Sequence, residues 1–318
     1  MQEKILEILK RRPDYVSGEE ISNHLRVSRQ ALWKHIQELK ERGYDIVAVP
    51  HLGYRLVSIP DRLFPSEVNQ HLNTKFMGRK IYYFDIVSST MDIALQLGMK
   101  GAPEGTLVLA EAQTKGRGRL NRTWSSPKYK GIYLSLILRP KILPNQASLL
   151  TLVSAVSIVE AIKEIVDLDP KIKWPNDILV NNKKLGGILT ELNAELDSIR
   201  FVIVGIGLNV NNDKKTLLEG STSLKEQKKE NINRIELLQE ILRKIEANYL
   251  TFQEKESQTI VEKWRQFSIT LGKRVRVACQ KERLEGEAID IDLDGGLLVR
   301  KDSGLIEKVM AGDVVHCR

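Results

Sequence analysis

Between Asn145 and Val166 the chain is apolar nearly all round: Leu149, Leu150, Leu152, Val153, Val156, Ile158, Val159 and Ile162 leave no polar stripe. A helix of that kind is stable only when enclosed, so it needs a sheet to bury it. Candidate strands lie on both sides. Ile81 to Phe84, Thr106 to Glu111 and Ile132 to Leu138 come before it, and Lys171 to Trp174, Ile178 to Val180, Ile188 to Leu192 and Arg200 to Val204 come after. Further helices are predicted from near Thr90, from about Ile232 to Phe252 and from Ser257 to Phe267. Strands with interspersed helices imply an α+β fold with a sheet covered mainly on one side.

The flanking segments have different periodicities. Ile5, Leu6 and Leu9 mark a first helix closed by Pro13. Ser17-Gly-Glu-Glu20 predicts a capping box and a second helix to about Leu25. After the short Val27-Ser28 turn, Leu32, Ile36 and Leu39 line a third helix that stops at Gly43. Two short strands, Asp45 to Val49 and Tyr54 to Val57, then fit a wing, so the region predicts a winged helix-turn-helix. Ser28, Arg29, Gln30, Trp33, Lys34 and Gln37 would face outward, combining phosphate-binding cations with amides able to read base edges. A winged domain used only as a scaffold fits the same pattern. Pro60 to Pro65 reads as a linker. The last residues, from Leu271, alternate as short strands around an Asp294-Gly-Gly296 hairpin signal. The expected domains are therefore 1–62, 63–269 and 270–318.

The charge of +8 is concentrated. From Glu111 to Lys130, the bases Lys115, Arg117, Arg119, Arg122, Lys128 and Lys130 face one acid, whereas the first sixty residues carry ten bases and eight acids. Gly116 and Gly118 permit close backbone approach to a ligand, and arginine meets carboxylate and phosphate oxygens two at a time. Charge alone fits a solvated loop or a nucleic-acid patch equally well. Other loops add Ser88-Ser89-Thr90 (an N-cap or a ligand contact), Lys173-Trp-Pro-Asn-Asp177, Lys183-Lys184-Leu-Gly-Gly187 and Gly205-Ile-Gly-Leu-Asn209. These read as turns at strand ends forming one pocket. Cys279 and Cys317 and the five histidines are scattered without ligand spacing, against a zinc site, a disulfide framework or a triad. No apolar run approaches the ~20 residues of a membrane span, and a cytoplasmic protein without membrane association is expected.

In order, Asp85-Ile-Val-Ser-Ser-Thr90, Gln113-Thr-Lys-Gly-Arg-Gly-Arg119, Lys173-Trp-Pro-Asn-Asp177, Lys183-Lys-Leu-Gly-Gly-Ile-Leu189 and Gly205-Ile-Gly-Leu-Asn209 resemble the bifunctional biotin protein ligase and biotin operon repressor family over essentially the whole chain. The resemblance implies a class II synthetase-like catalytic domain and an SH3-like C-terminal barrel. It implies that Ser89, Thr90 and Gln113 bind the biotin ureido group, while Gly116, Gly187, Gly205 and Gly207 shape the pocket. Arg117, Arg119, Arg122 and Lys184 would face the carboxylate and phosphates, with Trp124, Asn176 and Asn209 on the nucleotide side. Lys115 and Met91 depart from the family pattern, standing where a small residue and an amide are usual. Asp177 fits a magnesium ligand or a hydrogen-bond partner. The polar segment from Asn211 to Asn231 is expected to be disordered without ligand and, by resemblance, to fold over the adenylate.

The implied reaction uses biotin and Mg-ATP to form biotinyl-5'-adenylate, then transfers biotin to a lysine of a biotin carboxyl carrier protein. Fixed cations would bring two anions together, and no enzyme nucleophile is required. Operator DNA and a ligand-linked homodimer are the implied partners. A lipoate-type ligase, a sensor lacking ligase activity and a ligase without operator binding are the alternatives.

Overall fold

The computed structural model describes residues 1–195, 198–254, 257–278 and 283–317, so Cys279 lies outside the described residues. It divides into Met1–Arg62 and Leu63–Arg318. The first unit comprises α1 (Gln2–Arg11), α2 (Gly18–Leu25), α3 (Arg29–Glu41), β1 (Asp45–Val49) and β2 (Gly53–Ser58). The periodic residues Ile5, Leu9, Ile21, Leu32, Ile36 and Leu39 are buried. Ser17 Oγ accepts the Glu20 N–H at 3.0 Å and Ser28 Oγ the Ala31 N–H at 3.2 Å, giving α2 and α3 their N-caps. Glu20 does not complete the predicted capping box. Its carboxylate turns to Arg12 at 2.8 Å, where an opposite charge is within reach. At the wing turn Gly53 has φ +110°, and an added Cβ would lie 2.1 Å from the Val16 carbonyl oxygen, so only glycine fits.

In the second unit a short helix that was not predicted, α4 (Pro65–Asn69), comes first, and the predicted elements then appear as β3 (Ile81–Phe84), α5 (Thr90–Met99), β4 (Thr106–Ala110), β5 (Ile132–Leu138), α6 (Leu149–Val166), β6 (Lys171–Lys173), β7 (Asp177–Val180), β8 (Lys183–Glu195) and β9 (Ser198–Leu208). They are followed by α7 (Leu224–Lys228), α8 (Arg234–Gln253) and α9 (Ser257–Phe267). Among the described residues a seven-stranded sheet runs β3-β4-β5-β9-β8-β7-β6. The β3–β4 pair is parallel and the other neighbours are antiparallel.

The period of two along β9 distributes its side chains to two cores. Val202, Val204 and Ile206 join the α6, α8 and α9 core, whereas Phe201 and Ile203 join Met91 and Ala94 of α5 on the other face. Helix α6 is enclosed as its composition requires. It begins at Leu149 and not Asn145, because Pro144–Gln146 forms a separate 3-10 turn. Glu246 on α8 is buried yet satisfied: its carboxylate accepts the N–H groups of Lys75, Phe76 and Met77 at 2.7, 2.9 and 2.9 Å.

The C-terminal strands β10 (Arg274–Ala278), β11 (Arg283–Ile291), β12 (Leu297–Arg300), β13 (Ile306–Val309) and β14 (Asp313–His316) form an antiparallel sheet in the order β13-β12-β11-β10-β14. The Asp294-Gly-Gly296 signal falls between β11 and β12 as predicted. This sheet is fastened to the rest of the second unit by Trp174 Nε1 donating to Gly295 O at 3.1 Å and by Arg265 meeting both Asp290 oxygens at 2.7 and 3.0 Å.

Two expectations are corrected. Gly186, Gly187, Gly205 and Gly207 are not in turns: β8 and β9 are longer than predicted and contain them. Residues 211–231 are ordered, with a 3-10 turn at Lys214–Thr216 and helix α7 capped by Ser223. Their polarity is used internally: Asn211, Asn212, Thr222 and Ser223 are buried, and Ser223 Oγ donates to Asn212 O at 2.7 Å.

Candidate active site

The register of the sheet places Gly187 opposite Gly207, and Gly205 between Ser135 and Leu189. Glycines inside paired strands weaken a sheet and mark a close approach, and here the approaching group is visible. A Cβ on Gly207 would lie 2.4 Å from Trp124 Cε2, and one on Gly205 would lie 2.5 Å from Met91 Sδ. The indole and the thioether thus rest on a strip of bare backbone. Above it is a cavity of about 200 Å³ lined by residues from α5, the Gln113–Trp124 loop, β7, β8, β9 and the start of β14.

One end of the cavity is a directed chain of hydroxyls and an amide. Ser135 Oγ donates to Thr90 Oγ1 at 2.9 Å, Thr90 Oγ1 donates to Gln113 Oε1 at 3.1 Å, and Gln113 Nε2 donates to Ser126 Oγ at 3.0 Å. The Thr90 N–H also donates to Gln113 Oε1 at 2.9 Å, fixing which end of the amide faces which neighbour. Ser89 Oγ and Trp124 Nε1 are buried without a hydrogen-bond partner, and both residues line the cavity. Such groups are costly unless something polar meets them. This end is therefore built for a small polar head group.

The other end is cationic. Lys184 Nζ lies 2.6 Å from Asp177 Oδ1 and 5.6 Å from the Trp124 ring centroid. Arg119 Nη1 donates to Asn176 Oδ1 and to Gly312 O, each at 3.3 Å. Burial pulls the Arg119 pKa below its ordinary value, partly offset by Asp313 and Asp177. A desolvated guanidinium attracts an incoming anion more strongly than a hydrated one. Arg122 pairs with Asp313, so the C-terminal sheet also contributes to the wall.

Of the residues singled out in the sequence, Ser89, Thr90, Gln113, Arg117, Arg119, Arg122, Trp124, Asn176, Lys184, Gly187, Gly205 and Gly207 line this cavity. Gly116 and Asn209 are not in that wall. Gly116 closes the loop: its carbonyl accepts the Trp124 N–H at 2.9 Å, and a Cβ there would lie 2.6 Å from Trp124 O. Asn209 is buried with Nδ2 donating to Thr222 O at 3.1 Å, which anchors the 211–231 segment beside Lys184, where Leu218 and Ser221 join the cavity wall. Arg117 is held by Asp92 and by Glu191 at 3.2 Å. Burial lowers its pKa, but the Asp92 bond and the Glu191 charge carry it above its ordinary value. Its charge is therefore largely committed to these two carboxylates. Sequence reasoning missed Ser135, Ser126, Asp92, Glu191 and Asp313. The first two are unremarkable serines, and the acids reach the loop only through the tertiary fold.

On the first unit, Ser28, Arg29, Gln30, Trp33 and Lys34 are exposed along α3, and Gln37 is half-buried. Ser28 is occupied as the N-cap, and Arg29 pairs with Glu19 at 2.7 Å on the surface.

The model of the Biotin/lipoate A/B protein ligase family matches residues 83–211, that of the HTH domain residues 1–55, and that of the Biotin protein ligase C terminal domain residues 270–317. The chain is 41% identical over 305 residues to the Bifunctional ligase/repressor BirA of Bacillus subtilis, covering 95% of this chain and 94% of the relative. It is 32% identical to the Biotin--[acetyl-CoA-carboxylase] ligase of Mycobacterium tuberculosis, over 81% of this chain and 98% of that one. A solved biotin protein ligase from Aquifex aeolicus, in complex with biotin and ATP, superposes with a TM-score of 0.65 at 32% identity, covering 76% of this chain and 99% of that chain. The chain belongs to the family of bifunctional biotin protein ligases and repressors.

Proposed function

We infer that the protein is an ATP-dependent biotin protein ligase, biotin--[acetyl-CoA-carboxylase] ligase, and also a biotin-responsive repressor of biotin genes. The observation that carries the ligase reading is the two-ended cavity: a directed polar end at Ser89, Thr90 and Gln113, and a cationic end at Arg119 and Lys184, joined across a glycine floor. Biotin is a molecule with a polar ureido head and a carboxylate tail, and it fits that polarity. The class II synthetase-like and SH3-like descriptions of the two parts of the second unit belong to the same reading.

In the first step a biotin carboxylate oxygen attacks the α-phosphorus of ATP, the bond to the bridging oxygen breaks, and pyrophosphate leaves. Lys184 and Arg119 hold the two anions together and meet the charge that develops on the phosphoryl oxygens. Trp124 excludes water from one side, and Asn176 orients Arg119. In the second step a lysine amine of a biotin carboxyl carrier protein attacks the acyl carbon of the adenylate, AMP leaves, and the amine's proton is lost. Among the described residues there is no group of three or more His, Cys, Asp or Glu able to hold a metal ion. Of the two carboxylates that line the cavity, Asp313 is paired with Arg122 of the loop, and Asp177, beside Lys184, would be the protein ligand of Mg²⁺. Bound there, Mg²⁺ supplies charge neutralisation for the polyphosphate. Among the described residues no helix is long and apolar enough to cross a membrane; the cytoplasmic location belongs to this reading because ATP and carrier protein are its substrates. Mass spectrometry of a carrier domain incubated with protein, biotin and ATP tests the transfer: one acyl addition at a single lysine is expected, and an unmodified domain contradicts it.

The repressor half is supported by the exposed α3 face and by the HTH match. Operator binding should tighten when biotin and ATP are both present, because adenylate orders a loop that completes a dimer surface. Two winged domains would then bind a palindromic site at raised effective concentration. The coupling is reciprocal in free energy. Sedimentation and operator-fragment binding, with and without biotin plus ATP at one salt concentration, should show a ligand-linked homodimer and tighter binding. Equal mass and equal DNA affinity contradict it and leave the ligase half standing.

A further inference from the structure

The ligand loop leaves β4 at Glu111 and returns at Gly131, just before β5, and both ends converge on one buried guanidinium. Arg234 Nη1 donates to Glu111 Oε2 at 2.8 Å and to the Gly131 carbonyl at 2.9 Å, and both charged side chains are fully buried. The other Glu111 oxygen accepts the Leu63 N–H at 2.7 Å and the Tyr83 hydroxyl at 3.3 Å. The Glu111 carbonyl accepts the Tyr129 N–H at 3.2 Å.

A buried ion pair is a poor device for stability alone, because removing two charges from water offsets most of their attraction, and apolar residues of similar volume often serve as well. What this pair adds is geometry, since one nitrogen of a rigid, planar guanidinium bridges the Glu111 carboxylate and the Gly131 carbonyl and fixes their spacing. Arg234 is the first residue of α8, capped by Asn233, whose side chain accepts the N–H groups of Ile235 and Glu236. The following Leu237, Leu238 and Ile241 are buried in the core. The guanidinium is therefore carried by a rigid element. Two of the loop's other ties, Arg122 to Asp313 and Lys128 to Asp85, lie nearer solvent, where such pairs contribute little.

We propose that Arg234 and Glu111 are positioning residues for adenylate formation: together they set the spacing between the two ends of the Gln113–Trp124 loop and so aim Gln113, Arg119 and Trp124 into the cavity. This rests on the reading of that loop as the biotin and ATP site. Arg234→Lys separates spacing from charge, because lysine keeps Glu111 neutralised but carries its nitrogen on a shorter, more flexible stem and so does not hold Glu111 and Gly131 at the same spacing. Thermal unfolding of this variant should stay near wild type. Its kcat/KM for biotin-dependent pyrophosphate exchange should fall by about 10²-fold, the scale for a misplaced reacting group. Glu111→Gln combined with Arg234→Met removes both charges while keeping volume, and should show the same loss in folded protein. Either variant, folded and within twofold of wild type in kcat and KM, overturns the proposal.

Hydrogen exchange on the unmodified protein is an independent reading that holds whether or not a variant folds. The Leu63 and Tyr129 amides should exchange as slowly as those of β5, with or without biotin and ATP. If they exchange as fast as the wing turn at His51 and Leu52, the clamp is not rigid and the proposal fails. Loss of exchange activity in the wild type itself would instead count against the ligase reading.

Discussion

Lys184→Ala lowers biotin-dependent pyrophosphate exchange by about 10²-fold or more, the usual cost of removing one preorganised charge at a reacting centre. The expectation rests on how firmly the side chain is held. Both backbone groups of Lys184 are committed, its N–H to Gly220 O and its carbonyl to Thr222 N–H, each at 2.9 Å. Its ammonium is fixed between Asp177 and the Trp124 ring. A flexible lysine would cost entropy to order around phosphate, whereas this one is already in place. The variant should fold normally, because a half-exposed ammonium at a cavity wall contributes little to stability. Exchange within a few-fold of wild type would remove Lys184 from the phosphate role.

Arg119→Gly separates making the adenylate from keeping it. The guanidinium closes the wall between the loop, Asn176 and the carbonyl of Gly312. Glycine retains a backbone able to follow the turn at Arg119–Asn121 but removes a charge-assisted contact of about 1.5–3 kcal/mol. That corresponds to roughly 10- to 100-fold faster escape of biotinyl-5'-adenylate. Lys184 remains, so the first step continues at a reduced rate. The released anhydride then acylates bystander lysines, which mass spectrometry of an added unrelated protein detects. A variant silent in exchange, or active yet confined to the carrier lysine, contradicts this division of labour.

The parts legible from the sequence are those written in local pattern. The all-round apolar run of α6 required a sheet, the Ser17 and Ser28 caps marked the helix starts of the first unit, and the ordered motifs indicated the family. Other features depend on tertiary placement. Gly205 and Gly207 read as turn residues because glycine alone does not distinguish a turn from a strand on which an indole rests. Asn209 read as ligand-facing and the 211–231 segment as disordered because a polar side chain looks the same whether it meets solvent, a nucleotide or a buried carbonyl. Arg117 read as facing only the ligand because Asp92 and Glu191 reach it through α5 and β8. Glu111 and Arg234 are 123 residues apart in the chain, and only the fold brings them together in the core.

The central claim is that this cavity joins a biotin carboxylate to the α-phosphate of ATP. Its most direct test is exchange of labelled pyrophosphate into ATP by the purified protein, with biotin, with lipoate and with neither. The account predicts exchange that depends on biotin and is absent with lipoate or without acid. Exchange independent of biotin, or no exchange under conditions where the protein is folded, contradicts it.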